Sequence, residues 1–448
     1  MSDRKKNTHG GSGASEKEPQ MTLIPLPDGT YRMCDLKIGD PNKRYWQYNE
    51  RGHIEWQADG TVVTVPDLVS TVGRLRCPML GEVILPPSVR EIDELAFGAE
   101  FYSGDTYEWY ALHTVHFSQG IERIGYRAFY NCKNLNGVHL PKGLREIGEG
   151  AFGICLSLSR ITIPESVERV GYRAFALCKS LSEVIFRDGL EAIGGEVFAD
   201  DKRLSHVVLP KTLLRIGPRC FAGCESLAEI ELPESLCELW DGAFSGCVSL
   251  GSLTFGRDLL CDERIHKESP FLGCTALSKI CLEDAVRRAD WIPAAPALTE
   301  FKVSRGHPEF SVVDGALYSK DKKTLLRVPG GISGEYSVPR GVTAIADNAF
   351  RGCGGISEVR LPSTLLTIGK RAFAECTSLC SIDIPGKLTD IGEGAFLDCK
   401  ALTRVHISGS VCHIGEGALL GCDALAELTV SLENKHYRAD GCKLLRKA

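Results

Sequence analysis

Residues Pro141 to Ile163 read PKGLREIGEGAFGICLSLSRITI, and the next 23 residues, Pro164 to Phe186, read PESVERVGYRAFALCKSLSEVIF. Both follow one template: Pro, an aliphatic residue followed by Gly, Ala-Phe, Cys, then Leu-x-x-aliphatic-x-aliphatic. A fixed period of this length is the signature of a solenoid, in which each unit buries its apolar side only by stacking on its neighbours. The tail of the unit, Leu158 to Ile163, alternates apolar and polar residues and predicts a strand. The following Pro ends it, because Pro has no N–H for a ladder and forces its predecessor into an extended conformation. The middle, Gly148-x-x-Ala151-Phe152-x-x-Cys155, has spacings of three, four and seven and predicts a short helix. The expected fold is therefore an α/β repeat of stacked parallel strands, roughly 4.8 Å apart, with short helices.

The Phe of the template recurs as a column from Phe97 through Phe129, Phe152, Phe175, Phe198, Phe221, Phe244 and Phe271 to Phe350, Phe373 and Phe396. Ten of the 19 cysteines form a second column, from Cys132, Cys155 and Cys178 to Cys399 and Cys422. Stacked residues of a column have parallel Cβ vectors, which suit a disulfide badly, so these are expected to be reduced, buried thiols. Asp201 stands in the column where Cys is expected. Cys220 merely replaces the Ala before Phe221, so the Cys220-x-x-x-Cys224 spacing is read as core and not as a metal site.

The period divides the chain. Residues 1–20 are polar, Gly/Ser-rich and expected to be disordered. Residues 21–81 do not match the template, and Tyr45, Trp46, Tyr48 and Trp56 suggest a small β-rich N-terminal cap. A first block spans 82–282, a spacer 283–338, a second block 339–430, and a C-terminal cap 431–448. Glu283 to Ala295 is expected to be helical in its first half. Ala316 to Tyr318 and Thr324 to Val328 flank a polar turn and predict a β-hairpin. The tail SLENKHYRADGCKLL echoes the spacer, with an Asn or His before an aromatic and then Asp-Gly, so one device is expected to close both blocks.

The net charge of −6 on 448 residues gives no basis for binding nucleic acid or an anionic membrane. No run of about 18 apolar residues marks a transmembrane helix. The N-terminus lacks the apolar core of a secretory signal, which predicts a cytoplasmic chain, or a surface or secreted one if a leader was removed. No phosphate-binding glycine loop, HExxH or nucleophile elbow is present, so no enzyme, cofactor or metal is expected.

The run LPKGLREIGEGAFGICLSLSRITIP, together with DGALYSKDKKTLLRVP between the blocks, resembles the BspA-like leucine-rich repeats over about Glu82 to Gly441. The resemblance implies a leucine-rich-repeat solenoid that binds proteins, and many such proteins resemble bacterial adhesins. The expected function is a monomeric protein-binding module. An intracellular scaffold and a carbohydrate-binding protein are the alternatives.

Two sets of residues are candidate contacts. On the strand face, Arg160, Glu183, His206 and Glu229 form one outward column, and Ile185, Val208 and Glu231 belong to the next. Opposite charges such as Arg160 and Glu183 favour a solvated cross-strand lattice, whereas Ile185 and Val208 form a small exposed apolar pair. The second set lies in the insertion Gly98 to Ala111: Phe101, Tyr102, Tyr107, Trp109 and Tyr110. Aromatic loop residues on a rigid scaffold are typical binding anchors and could serve protein or glycan, or could pack on the cap.

Overall fold

The computed structural model describes residues 20–27, 31–37, 61–74, 80–98, 111–259, 269–292 and 295–447. Each coil of the solenoid has three hydrogen-bonded sides. The first is the ladder predicted from the alternating tails: Arg160–Ile163, Glu183–Phe186 and His206–Val208 pair in parallel, with Arg160 opposite Glu183 and Glu183 opposite His206. The second is a ladder of two-residue strands, Arg123–Ile124, Glu146–Ile147 and Arg169–Val170, each 23 residues after the last. Its outward side carries an ion-pair lattice, with Glu146 bridging Arg123 at 3.3 Å and Arg169 at 3.7 Å. The second ladder continues upstream of the first template unit through Val69–Val72, and on the first side a separate four-strand ladder runs from Thr61–Thr64 to Gly137–Val138.

The third side corrects the expectation of short helices, since no helix occurs among the described residues. The segment is a chain of turns. Ala128, Tyr130 and Cys132 donate their N–H groups three residues back, to Gly125, Arg127 and Phe129. The intervening N–H groups of Arg127, Phe129 and Asn131 donate instead to Glu149, Ala151 and Gly153 of the next coil, at 2.7–2.8 Å. An α-helix would keep all of these bonds within the segment. The alternation requires left-handed residues, and Arg127 has φ 49° and Asn131 φ 65°. Such a conformation costs an ordinary residue about 1–2 kcal/mol, offset here by an intercoil hydrogen bond. A helix and a chain of turns both place Gly, Ala, Phe and Cys on one side, so spacing alone did not separate them. The expected helical turn after Glu283 is also absent: Val286 bonds back to Glu283 in an isolated turn, and Ile292 to Ala289 in another.

The Phe column is continuous within each block. Phe129, Phe152 and Phe175 are fully buried, with successive ring centroids 5.1 and 5.3 Å apart and planes within 8° of parallel. At the end of the first block, Trp291 packs edge-on against Phe255 at 5.2 Å and continues the core where the period fails. The Gly that follows the aliphatic residue is required by close approach: a Cβ on Gly148 would lie 2.6 Å from the Gly125 carbonyl carbon, and one on Gly171 2.5 Å from the Glu149 nitrogen.

The cysteine column is buried from Cys132 to Cys399, and Cys422 is half-buried. The thiols donate to the Phe carbonyl of the preceding coil, as Cys155 does to Phe129 at 3.3 Å and Cys178 to Phe152 at 3.2 Å, except Cys353, which opens the second block and donates to Val328 and Pro329. Burial pushes thiols of this column such as Cys178 and Cys353 up, the latter to about 12, which disfavours their thiolates at neutral pH. Under native conditions, alkylation is expected to reach the exposed Cys380, Cys412 and Cys442 first and to spare the column until the chain unfolds. Mass spectrometry of labelled peptides checks this, and native labelling of the column would refute it.

Two cores result. One contains Met33 through Leu317, and the other Ala316 through Leu428. They meet at a septum in which Ala316–Ser319 pairs antiparallel with both Phe310–Val313 and Thr324–Arg327. This contains the predicted hairpin and adds a strand to it. Leu317 faces the first core, and Ala316 and Tyr318 face the second. The same device closes the second block. Buried His307 accepts from the N–H groups of Glu309 and Phe310 at 3.2 and 3.1 Å, and Lys320 Nζ donates to its carbonyl at 2.6 Å. Buried Asn434 accepts from those of His436 and Tyr437 at 2.8 Å, and Lys447 Nζ donates to its carbonyl at 2.5 Å.

Candidate binding surface

Because side chains alternate along a strand, the buried set Ile161, Val184 and Val207 leaves Arg160, Glu183 and His206 outward in one row. Thr162, Ile185 and Val208 form the next row in register. Val208 is 40% exposed and Ile185 half-buried, so the predicted apolar pair lies on this face. Arg160 and Glu183 are register partners, yet no ion pair joins them; the ion pairs of the strand face lie in other coils, between Lys279 and Glu300 at 3.3 Å and between Arg360 and Glu335 at 2.8 Å.

The ladder stops beyond Val208. Glu229, Ile230 and Glu231 are not in a strand, and pairing resumes only between Ser252–Phe255 and Lys279–Leu282. Ile230 remains in the core while Glu229 and Glu231 are exposed. The face thus presents a three-strand patch, apolar at its centre, with charged residues along one side and two carboxylates beyond its end. Among the described residues, no three His, Cys, Asp or Glu side chains gather to hold a metal ion.

Phe101, Tyr102, Tyr107, Trp109 and Tyr110 lie outside the described residues, as do the cap aromatics Tyr45, Trp46, Tyr48 and Trp56. A feature not anticipated from the sequence lies on the turn side. The Arg127 guanidinium sits over the rings of Tyr126 and Tyr130 at 5.0 and 4.8 Å, and Arg173 over Tyr172 at 5.2 Å, with Arg173 also paired to Glu196 at 2.5 Å. The signal was the Gly-Tyr-Arg-Ala-Phe run at Gly125 and again at Gly171. Arg over Tyr is worth about 0.5–1 kcal/mol at an exposed site, and here it braces the turns.

The repeats match a family model described as BspA type leucine rich repeat region, over residues 100–213, 191–291 and 334–440, more than half of the chain. The chain belongs to the BspA-type leucine-rich-repeat family. No curated protein matches it. Among solved structures, a leucine-rich repeat protein from Bacteroides ovatus is 22% identical, with 93% of this chain and 94% of that one covered and a TM-score of 0.48. A leucine rich cell surface protein from Faecalibacterium prausnitzii is 21% identical, covering 93% and 96%, with a TM-score of 0.35. No helix among the described residues is long and apolar enough to cross a membrane.

Proposed function

We propose that this BspA-type chain is a non-enzymatic protein-binding module that recognises its partner through the strand face of the first block. The observation that carries the reading is the exposed Val208 beside Ile185, in register with Thr162 on a rigid parallel ladder. An apolar centre excludes water at a contact, and the adjoining row of Arg160, Glu183 and His206 supplies charges that set orientation and partner choice. Adhesin-like recognition is the form that the family resemblance adds to this reading.

The test is quantitative capture of proteins from a cell-surface extract by three forms of the chain: the native one, the double variant Ile185→Asp with Val208→Asp, and Arg145→Glu, at an exposed residue next to Glu146 of the other ladder. The double variant should lose specific captures about tenfold or more, the equivalent of about 1.4 kcal/mol. Arg145→Glu should retain them. Equal capture by all three would remove the strand face from consideration.

A further inference from the structure

The strand-face patch is complementary to itself. One outward row runs Arg160, Glu183, His206, Glu229, one residue from each of four successive coils, and the other runs Thr162, Ile185, Val208, Glu231. Turned end over end, the first row reads Glu229, His206, Glu183, Arg160. Laid on the original, it sets Arg160 on Glu229 and Glu183 on His206, each twice. The second row then sets Ile185 on Val208 and Thr162 on Glu231. Every carboxylate meets a donor, because Arg is always cationic, Thr carries an O–H, and an imidazole carries at least one N–H in either charge state. The apolar residues of both chains meet in the middle.

Two further features suit this stretch to such a contact. Among the described residues, none of Arg160, Glu183, His206, Glu229 and Glu231 is held in an ion pair, whereas on the two-residue ladder Glu146 is bridged by Arg123 and Arg169. The stretch is also close to flat. Phe152, Phe175, Phe198 and Phe221 of the same coils lie 5.3, 5.6 and 5.4 Å apart, with successive planes within 9° of parallel. That spacing is little more than the roughly 4.8 Å of a strand ladder, so the coils stack with little bend and two such faces can touch along their length. The side chains also select the register. A two-fold axis through the Glu183 strand sets Glu183 on its own copy, and one through the His206 strand sets Glu183 on Glu229 and Ile185 on Glu231. Between Arg160 and Glu183 it would cover Ile185 with Thr162 and Val208 with His139, and between His206 and Glu229 it would cover Val208 with Glu231. Like charges in contact are unfavourable, and an apolar residue under a carboxylate leaves the carboxylate desolvated without a partner.

We infer that the strand face of the first block pairs with a second copy of this chain, about a two-fold axis that passes between the Glu183 and His206 strands. The inference rests on the strand-face reading above and names its partner, in place of the monomer expected from the sequence. The contact is isologous, so each charge pair and each Ile185–Val208 contact occurs twice. Two rows over four coils cover much less than a standard interface, so the dimer is weak and reversible.

Sedimentation equilibrium of the full chain at low salt, over roughly 5 to 500 µM, reads the association. The native chain should show a reversible monomer–dimer equilibrium that added salt weakens. Arg160→Glu sets carboxylate on carboxylate at both charge contacts with Glu229, and Glu229→Arg sets guanidinium on guanidinium at both contacts with Arg160. Each should weaken dimerisation about tenfold or more. An equimolar mixture of these two variants should recover it, because both contacts are then opposite in sign, and so should the double variant Arg160→Glu with Glu229→Arg. Arg145→Glu should dimerise as the native chain does. The inference is overturned if the native chain stays monomeric throughout, if either single variant dimerises like the native chain, or if the mixture associates no more tightly than its components. A monomeric chain that still loses its captures with Ile185→Asp and Val208→Asp would show that the face binds a different protein, which would end this inference and leave the strand-face reading intact.

Discussion

Replacing Phe175 by Ala is expected to cost about 3–5 kcal/mol, the range for truncating a buried aromatic in a core that cannot collapse. Phe175 has no exposed surface and lies between Phe152 at 5.3 Å and Phe198 at 5.6 Å, both nearly parallel to it. Its backbone cannot move to fill the gap, because its N–H is bonded to Val197 of the next coil at 2.9 Å. A repeat stack holds together through nearest-neighbour interfaces, so one vacancy weakens the coupling on both sides of it. Guanidinium unfolding should show the midpoint of the first block falling sharply, with the second block, whose Phe column is separate, less affected. Phe396→Ala, near the end of the second column, should spare the first block in the same way. A loss below about 1 kcal/mol for Phe175→Ala would mean that the column is not a continuous core.

The parts of this fold that could be read from the sequence are those fixed by side-chain alternation and by period. The registers Arg160–Glu183–His206 and Thr162–Ile185–Val208 follow from 23-residue spacing, and the structure has both. The echo between the spacer and the tail was also legible, since His307 and Asn434 serve the same turn through ring nitrogen and amide oxygen. What escaped the sequence depends on backbone conformation. Arg127, Ile154, Leu177 and Glu196 are all left-handed, yet nothing in these residue types announces it, and their apparent helical spacing is shared by a chain of turns. The break in the ladder at Glu229–Glu231 was equally hidden, because its apolar pattern matches the other units. The three-strand extent of the candidate face therefore had to come from the structure, while its residues did not.

Asp201→Asn is expected to stabilise the chain, by an amount that grows as pH rises. Asp201 occupies the cysteine column and is fully buried. Elsewhere in the column the Phe carbonyl receives both the amide and a thiol: Cys155 N–H donates to Phe152 at 3.3 Å, and Cys178 Sγ to the same oxygen at 3.2 Å. At residue 201 the pattern changes. The Cys178 N–H is diverted to Asp201 Oδ1 at 2.6 Å, and Oδ2 is buried without a hydrogen-bond partner. By the rule of the column, the group at 201 should donate to the Phe175 carbonyl, and only a protonated carboxyl can. Burial, with the neighbouring Cys178 thiol adding to it, holds the Asp201 carboxyl well above the usual range, in agreement with this geometry. The sign follows. A group whose folded pKa lies above its unfolded value contributes most below the unfolded value, near pH 4, and that contribution is lost as pH rises towards the folded pKa. Each pH unit in that window removes about 1.4 kcal/mol, because the folded chain holds one proton that the unfolded chain has released. Asn keeps the neutral shape at every pH, with an oxygen for Cys178 N–H and an N–H for the Phe175 carbonyl. Denaturant unfolding of both chains from pH 4 to pH 8 should therefore give nearly equal stabilities at the acid end and a widening gap in favour of Asp201→Asn above it. A gap that stays constant over the whole range would show that the carboxyl titrates alike in the folded and unfolded chains, and that the donor at this coil comes from elsewhere.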